Sequence, residues 1–149
     1  MRETITAALK DAMKARDAAR TGTLRMISAA IKDRDIEARG MGRDVATDDE
    51  VLATLAKMIR QREESARLYD EGGRPELAEK ERAEIALIRD FLPVQMSDDA
   101  IREAARTAIA ETGATGVRDM GRVMALLKER HAGAMDFGKA SALVRELLG

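Results

Sequence analysis

A proline-containing break near residue 93 divides this chain into two helical tracts. Pro93 lacks a backbone N–H and ends the first tract, whereas Ser97 can accept a hydrogen bond from the first N–H groups of a new helix. We therefore predict two domains: an N-terminal helical bundle over residues 1–93 and a three-helix module over residues 97–149. The two parts have to be examined separately for a functional site.

The spacing of apolar residues predicts helices in both parts. Apolar residues recur every three or four positions, and no alternation of apolar and polar residues is long enough for a strand. In the first part we predict helix ends at residues 21–22, 40–43 and 72–75. Residues 47–50 have the form of a capping box, from which a third helix should run to about Glu71. The sequence thus predicts an all-α fold, with an up-and-down bundle of about four helices before the three-helix module.

Composition limits the chemistry that this chain can perform. Only 2% of the residues are aromatic, there is no cysteine, and there is a single histidine. A core of aliphatic residues and methionine suits helix packing, and disulfides and thiolate metal sites are excluded. Acidic clusters in so charged a chain are interpreted as solvated helix faces. We expect no metal, no cofactor and no catalytic residues.

Charge is balanced along the chain at the level of whole domains. The 26 Lys and Arg residues face 27 Asp and Glu, and from residue 97 onward the counts are 8 and 8. This balance argues against a general electrostatic attraction for nucleic acid but leaves room for a local patch. No apolar run approaches the ~20 residues of a membrane span, so we expect no membrane partner and a cytoplasmic location.

Four charged residues fall on apolar helix stripes in the N-terminal part. Arg62 lies near the centre of the stripe of the third helix, and Arg34 occupies a similar place on the second. Glu81 and Glu84 share the stripe of the fourth helix. Because charges directed toward a core need partners, we predict structural ion pairs from these carboxylates to Arg62 and to Arg34. The alternative is a cleft that binds an anion.

Glycines and cations recur together in the C-terminal part. Gly121 and Gly138 lie inside predicted helices, where a glycine costs about 1 kcal/mol relative to alanine. Either tight helix packing or the close approach of a phosphate would explain them. The candidate phosphate-contacting set comprises Arg118, Gly121, Arg122, Lys128, Arg130, Gly138 and Lys139.

An ordered series of short segments resembles the YqeY family. In the N-terminal part these segments are residues 24–26, 29–32, 60–62 and 78–81. The later segments are residues 91–93, at the end of the N-terminal part, and residues 113–115, 119–124 and 138–139 in the C-terminal part. No single segment is specific, but their order and spacing together cover nearly the whole chain.

The resemblance implies a function that the residues alone do not. The YqeY family is similar to the C-terminal tail domain of the B subunit of the glutamine-dependent aspartyl/glutamyl-tRNA amidotransferase, a carbon–nitrogen ligase with glutamine as amido-N-donor. That all-helical tail helps to hold tRNA, while separate domains perform the chemistry. The resemblance therefore implies a non-catalytic, tRNA-binding accessory protein of translation, with RNA contact at Gly121, Arg122, Gly138 and Lys139. No segment resembles the catalytic domain of that subunit.

A different class of function stays open beside RNA binding. The chain could instead be a protein-interaction module that docks on a translation-related enzyme without RNA contact. Its docking face would then include the methionines Met120 and Met124.

Overall fold

Helices account for the regular structure of this chain, and no strand is present. The computed structural model describes all residues from 1 to 149. The helices are α1 (Arg2–Lys14), α2 (Ala18–Gly40), α3 (Asp48–Glu71), α4 (Pro75–Arg89), α5 (Asp98–Thr112), α6 (Met120–His131) and α7 (Phe137–Leu148). A short 3-10 turn, Val117–Asp119, precedes α6. The predicted all-α class, with four helices followed by three, is confirmed.

The chain divides into two compact units, Met1–Pro93 and Val94–Gly149. In the N-terminal unit α3 packs along α4, and α2 packs against α1, α3 and α4. Leu24, Ile27, Leu55 and Ile88 are completely buried in its core. Burying each of these side chains contributes roughly 1.5–3 kcal/mol, which makes aliphatic packing the main stabilising term of this unit.

The first helix boundary differs from the prediction. Helix α1 ends at Lys14 and α2 begins at Ala18, so the predicted stop at residues 21–22 is wrong. Asp17 caps α2, since its carboxylate accepts a hydrogen bond from the Arg20 N–H at 3.0 Å. This local cap outweighs the weak helix propensity of Gly22, which lies inside α2.

The other predicted boundaries of the N-terminal unit are confirmed. The Thr47 hydroxyl accepts from the Glu50 N–H at 3.2 Å, while a Glu50 carboxylate oxygen accepts from the Thr47 N–H at 3.1 Å. Gly73 then ends the α3 region with a φ of 72°, and Pro75 occupies the first turn of α4. Reciprocal capping starts α3, and a glycine–proline pair separates it from α4.

The C-terminal unit is a small bundle in which α5, α6 and α7 all pack on one another. Ile101, Val123, Leu127 and Val144 are the largest fully buried side chains of its core. Ser97 caps α5 as predicted, because its hydroxyl accepts from the Ala100 N–H at 3.1 Å. In neither unit is there a helix with the length and hydropathy required to cross a bilayer.

Candidate functional site

Arg62 and Glu84 join α3 to α4 through a largely buried ion pair. Arg62 Nε donates to Glu84 Oε2 at 2.9 Å, and the two side chains are only 13% and 16% exposed. Arg62 also donates to the Met58 carbonyl at 3.2 Å. Glu81 is half-buried on the same helix as Glu84 and forms no ion pair. The Arg62 guanidinium is therefore held by internal partners.

Arg34 does not pair with α4, contrary to the prediction. It contacts Glu50 and, at 2.6 Å, Glu37. Arg43 also contacts Glu50, and this Arg43 contact, followed by the Thr47 N–H, lowers the pKa of Glu50 to about 2. The reason is position: Arg34 lies in the second half of α2, beside the start of α3. Its charge is neutralised there by two carboxylates, so the surface around it is not a cationic cleft.

A second internal ion pair was not predicted from the sequence. Arg2 donates two hydrogen bonds to Asp35, at 2.8 Å and 2.6 Å, and a third to the Ala46 carbonyl at 3.0 Å. Asp35 in turn accepts from the Ala46 N–H at 2.9 Å. The Arg2 guanidinium, and then this N–H, lower the pKa of Asp35 to about 2. The available signal was spacing, since Asp35 falls four residues after Ile31 on the buried stripe of α2.

In the C-terminal unit, Arg122 organises the loop between α5 and α6. It donates to the Thr112 carbonyl at 3.1 Å and to Asp119 at 2.9 Å. Asp119 also accepts from the Thr115 N–H at 3.0 Å; this bond, and then Arg122, lower the pKa of Asp119. The Arg122 side chain nevertheless remains 60% exposed. It is thus positioned by the protein and still open to an external ligand.

The predicted cations of the C-terminal unit do not form one patch. Arg122 and Arg130 both contact the last turn of α5, the latter through Glu111. Lys139 instead pairs with Asp98 at 3.1 Å, and this contact raises the pKa of Lys139. Because Asp98 opens α5, the Lys139 contact lies roughly 20 Å along the helix from the Arg122 contact. The predicted set is therefore divided between the two ends of α5.

The remaining cations of that set, Arg118 and Lys128, are exposed and form no ion pair. Arg118 lies in the 3-10 turn immediately before α6, close in sequence to Arg122. We call Arg118, Gly121 and Arg122 the α6 start. Within the predicted set, this group combines an unpaired arginine, an exposed glycine and a positioned arginine.

The two helical glycines of the C-terminal unit have different explanations. A Cβ atom at Gly138 would lie 3.2 Å from Asp136 Oδ1, the oxygen that accepts from the Gly138 N–H and caps α7. A Cβ atom at Gly121 would meet nothing within 4 Å. Tight helix packing therefore does not account for Gly121. The glycine leaves the first turn of α6 bare and open to solvent.

A family model described as "Yqey-like protein" matches residues 2–148. The chain belongs to the YqeY-like family. The match spans both units, so the resemblance drawn from the scattered segments is confirmed over nearly the whole chain.

Relatives of this YqeY-like chain carry the name "Altered inheritance of mitochondria protein 41, mitochondrial". The Clavispora lusitaniae protein is 36% identical over 98 residues, which is 64% of this chain and 54% of that protein. The Lachancea thermotolerans protein is 36% identical over 85 residues, or 56% and 43% of the two chains. The chain thus spans about half the length of these two relatives. The Pyrenophora tritici-repentis protein is 26% identical over 146 residues, covering 95% of this chain and 77% of its own.

Met120 and Met124 do not form a free apolar face on the YqeY-like C-terminal unit. Both are partly buried and pack against its core. The large apolar residues exposed in this unit are Val94 and Val117. The docking face expected around the two methionines is therefore used internally, because α6 needs them to complete the three-helix core.

Proposed function

We propose that this YqeY-like protein is a non-catalytic accessory protein that binds tRNA through the α6 start. The observation that carries the proposal is Gly121, a helical glycine with open space around it, which Arg122 directly follows and Arg118 precedes by three residues. Without a side chain, the backbone there can be approached closely by a phosphate or a ribose. The similarity of the family to a tRNA-holding tail domain supports the same ligand.

The charges of the α6 start suit contact with a phosphate backbone. Arg118 has no carboxylate partner, so an RNA phosphate can bind it without displacing an existing ion pair. Arg122 is held by Asp119 and the Thr112 carbonyl, which reduces the entropy lost when it binds. The N-terminal end of the α6 dipole adds a further attraction for negative charge. Such contacts position RNA by its backbone and shape, and they need not read a base.

The test is binding of bulk tRNA to the full chain by fluorescence anisotropy over a salt series. Affinity should fall steeply with salt, and Arg118→Ala/Arg122→Ala should weaken binding. Each phosphate contact contributes roughly 0.7–0.9 to the slope of log K against log salt, so the double variant should flatten that slope by about 1.5.

The matched control is Arg106→Ala/Arg145→Ala, which removes two exposed arginines from α5 and α7 of the same unit. It changes net charge by the same amount and should bind like the wild type. Equal weakening by the two double variants would show that only overall charge matters. Absence of salt-dependent binding by the wild type would overturn the proposal.

A groove in the N-terminal unit favours the second candidate, docking on a translation-related enzyme. The groove has a volume of about 680 Å³ and lies between α2 and α4. Its lining combines small and apolar residues of both helices, among them Ala19, Gly22, Met26, Ala83 and Leu87, with five charged residues at Asp17, Arg20, Lys80, Glu84 and Asp90. Under this candidate, one defined protein should co-purify after nuclease treatment, and Ala83→Glu should abolish its recovery without changing tRNA binding.

We also propose a cytoplasmic location. The proteins from Clavispora, Lachancea and Pyrenophora are named as mitochondrial, so the compartment needs a direct test. Cell fractionation with an antibody against this chain should recover it in the cytosol. Recovery in an organelle fraction would overturn this part of the proposal.

A further inference from the structure

The near-neutral charge of the N-terminal unit conceals two oppositely charged regions. Residues 1–32 contain seven Lys or Arg and three Asp or Glu, whereas residues 33–93 contain 11 and 16. The first region comprises α1 and the first part of α2, which pack against each other as a helical hairpin. The hairpin is therefore cationic although the unit as a whole is not.

The cations of the hairpin lack the partners that cations elsewhere in the unit have. Of its seven, Arg2 alone forms an ion pair, with Asp35. The other six are exposed or half-exposed and form none: Lys10, Lys14, Arg16, Arg20, Arg25 and Lys32. Between residues 33 and 93, in contrast, seven of 11 cations pair with carboxylates: Arg34, Arg43, Arg62, Arg67, Arg74, Arg82 and Arg89. An anion binding at the hairpin would have no existing ion pair to displace.

A surface depression of about 400 Å³ lies where the two helices of the hairpin meet. We call it the hairpin tip; its lining residues are Met13, Arg16, Ala18, Thr21, Gly22 and Arg25. Two guanidinium groups line it and no carboxylate does. The acid nearest to it in sequence is Asp17, whose carboxylate accepts the Arg20 N–H as the cap of α2. Guanidinium groups match the geometry of phosphate oxygens, so the lining suits a phosphate group.

Gly22 gives the hairpin tip its open floor. It follows Ala18 by four residues and precedes Arg25 by three, so these three residues share one face of α2. A Cβ atom at Gly22 would meet nothing within 4 Å. The glycine is therefore not required by packing, and its small size keeps the backbone of α2 accessible between the two arginines.

The backbone at Arg16 is a separate indication that this arginine side chain is needed. Arg16 has a φ of 55° and is the one non-glycine residue of the chain with a positive φ. A left-handed conformation costs an L-residue with a Cβ roughly 1–2 kcal/mol, which glycine would avoid. An arginine in a turn that favours glycine indicates that its charge has a use, since strained residues concentrate at functional sites.

We propose that the hairpin tip is a phosphate-binding site in which Arg16 and Arg25 hold one phosphate group over Gly22. Lys10 and Lys14, one turn apart on α1, extend the positive surface beyond it. The phosphate belongs either to an RNA backbone or to a free polyphosphate. The spread of six unpaired cations over two helices favours the RNA backbone, which is the longer polyanion. This site lies in the N-terminal unit and does not depend on the α6 start.

The test is an NMR titration of the full 15N-labelled chain at low salt. The amide resonances of Arg16, Gly22 and Arg25 are monitored during the titration. Tripolyphosphate and tRNA are added in separate experiments. Both should shift or broaden these resonances in a saturable manner. Arg16→Gly/Arg25→Ala should weaken tripolyphosphate binding by about tenfold, since two charge-assisted contacts are lost.

The matched control is Arg67→Ala/Arg89→Ala, which removes two exposed arginines of α3 and α4 that are each paired with a glutamate. It should bind tripolyphosphate within about twofold of the wild type, because its net charge equals that of the hairpin variant while the tip is intact. Equal weakening in the two variants would overturn the site, and so would an absence of hairpin shifts with either ligand.

The two ligands distinguish the source of the phosphate. If tRNA and tripolyphosphate both act on the hairpin amides, the site binds RNA; if tripolyphosphate alone does, it binds a free polyphosphate. The amides of Arg118 and Gly121 report binding at the α6 start in the same spectra, so either proposed site can be refuted without the other.

The single variants separate folding from binding. Arg16→Gly alone should unfold at a temperature no lower than that of the wild type, because backbone strain is removed. Arg25→Ala alone tests binding while the turn at Arg16 is unchanged.

Discussion

The α3–α4 pair and the hairpin of α1 with α2 both contain exposed arginines, which are used in different ways. On α3 and α4, Arg67 and Arg89 are 54% and 52% exposed, and each contacts a glutamate. On the hairpin, Arg16 and Arg25 are also exposed and contact no carboxylate. The first two arginines are neutralised by glutamates of α3, whereas the second two are available to an external anion.

This difference teaches that exposure and net charge do not identify a binding cation. An arginine that has to release its carboxylate partner gains little from a phosphate, because one ion pair is exchanged for another. Arg122 differs, since it is 60% exposed and can bind a phosphate through other N–H groups while it keeps Asp119. An unpaired arginine gains the whole interaction. The same distinction separates Arg118, which is unpaired, from Arg130 and Lys139, which contact Glu111 and Asp98.

The largest loss of stability is expected when the partner of a paired arginine is removed, at the buried ion pair of Arg62 and Glu84. Glu84→Leu should leave Arg62 without its partner in a site where both side chains are mostly buried, lowering the free energy of unfolding by about 2 kcal/mol. Urea unfolding followed by circular dichroism measures it. Arg62→Met/Glu84→Leu should recover most of the loss, because no unpaired charge remains. Arg25→Ala, which removes an exposed and unpaired arginine, should change stability by less than about 0.5 kcal/mol.

A smaller loss of stability is expected when the pH is lowered. Asp35 and Glu50 each have a pKa of about 2 in the folded chain, below the value near 4 of an unfolded carboxyl. The unfolded chain therefore binds more protons in this range, and the stability that both groups contribute is complete above about pH 5 and is lost as the pH falls toward 2. Urea unfolding at several pH values should show this decline.

The matched comparison for the pH effect uses two aspartates of α2. Asp35→Asn should be less stable than wild type at pH 7 and should lose less stability on acidification. Asp33→Asn, at an exposed position without an ion pair, should retain the wild-type profile. A wild-type slope in Asp35→Asn would show that its pairing with Arg2 does not contribute to acid sensitivity.

The smallest change in stability is expected at Gly121, where the change in binding should be clear. Gly121→Ala adds a methyl group in open space and should raise the free energy of unfolding by less than about 1 kcal/mol. If tRNA approaches the bare backbone, the same variant should weaken binding in the anisotropy assay. Gly40→Ala, also in open space at the end of α2, is the control and should bind normally. Normal binding by Gly121→Ala would remove the glycine from the proposed interface.

The parts of this fold that the sequence predicted are those decided by near neighbours in the chain. The capping box at Thr47 and Glu50 and the cap at Ser97 were predicted because each depends on hydrogen bonds over three residues. The first boundary was misplaced because Asp17 is a cap of the same kind that the Thr21–Gly22 dipeptide obscured. Family membership was also accessible, since it depends on the order of short segments.

Tertiary structure alone decided which charges neutralise one another and which remain free. Arg2 meets Asp35 across 33 residues, and Arg34 meets Glu50 across 16. Arg122 and Lys139 were predicted to share a surface and lie at opposite ends of α5. A helical pattern specifies the face of the helix on which a residue lies. It does not specify which helix packs against that face or at what level along the axis, because both depend on how whole helices pack. The sequence by itself determined the helices, their caps and the family, while packing determined which cations are left for a ligand.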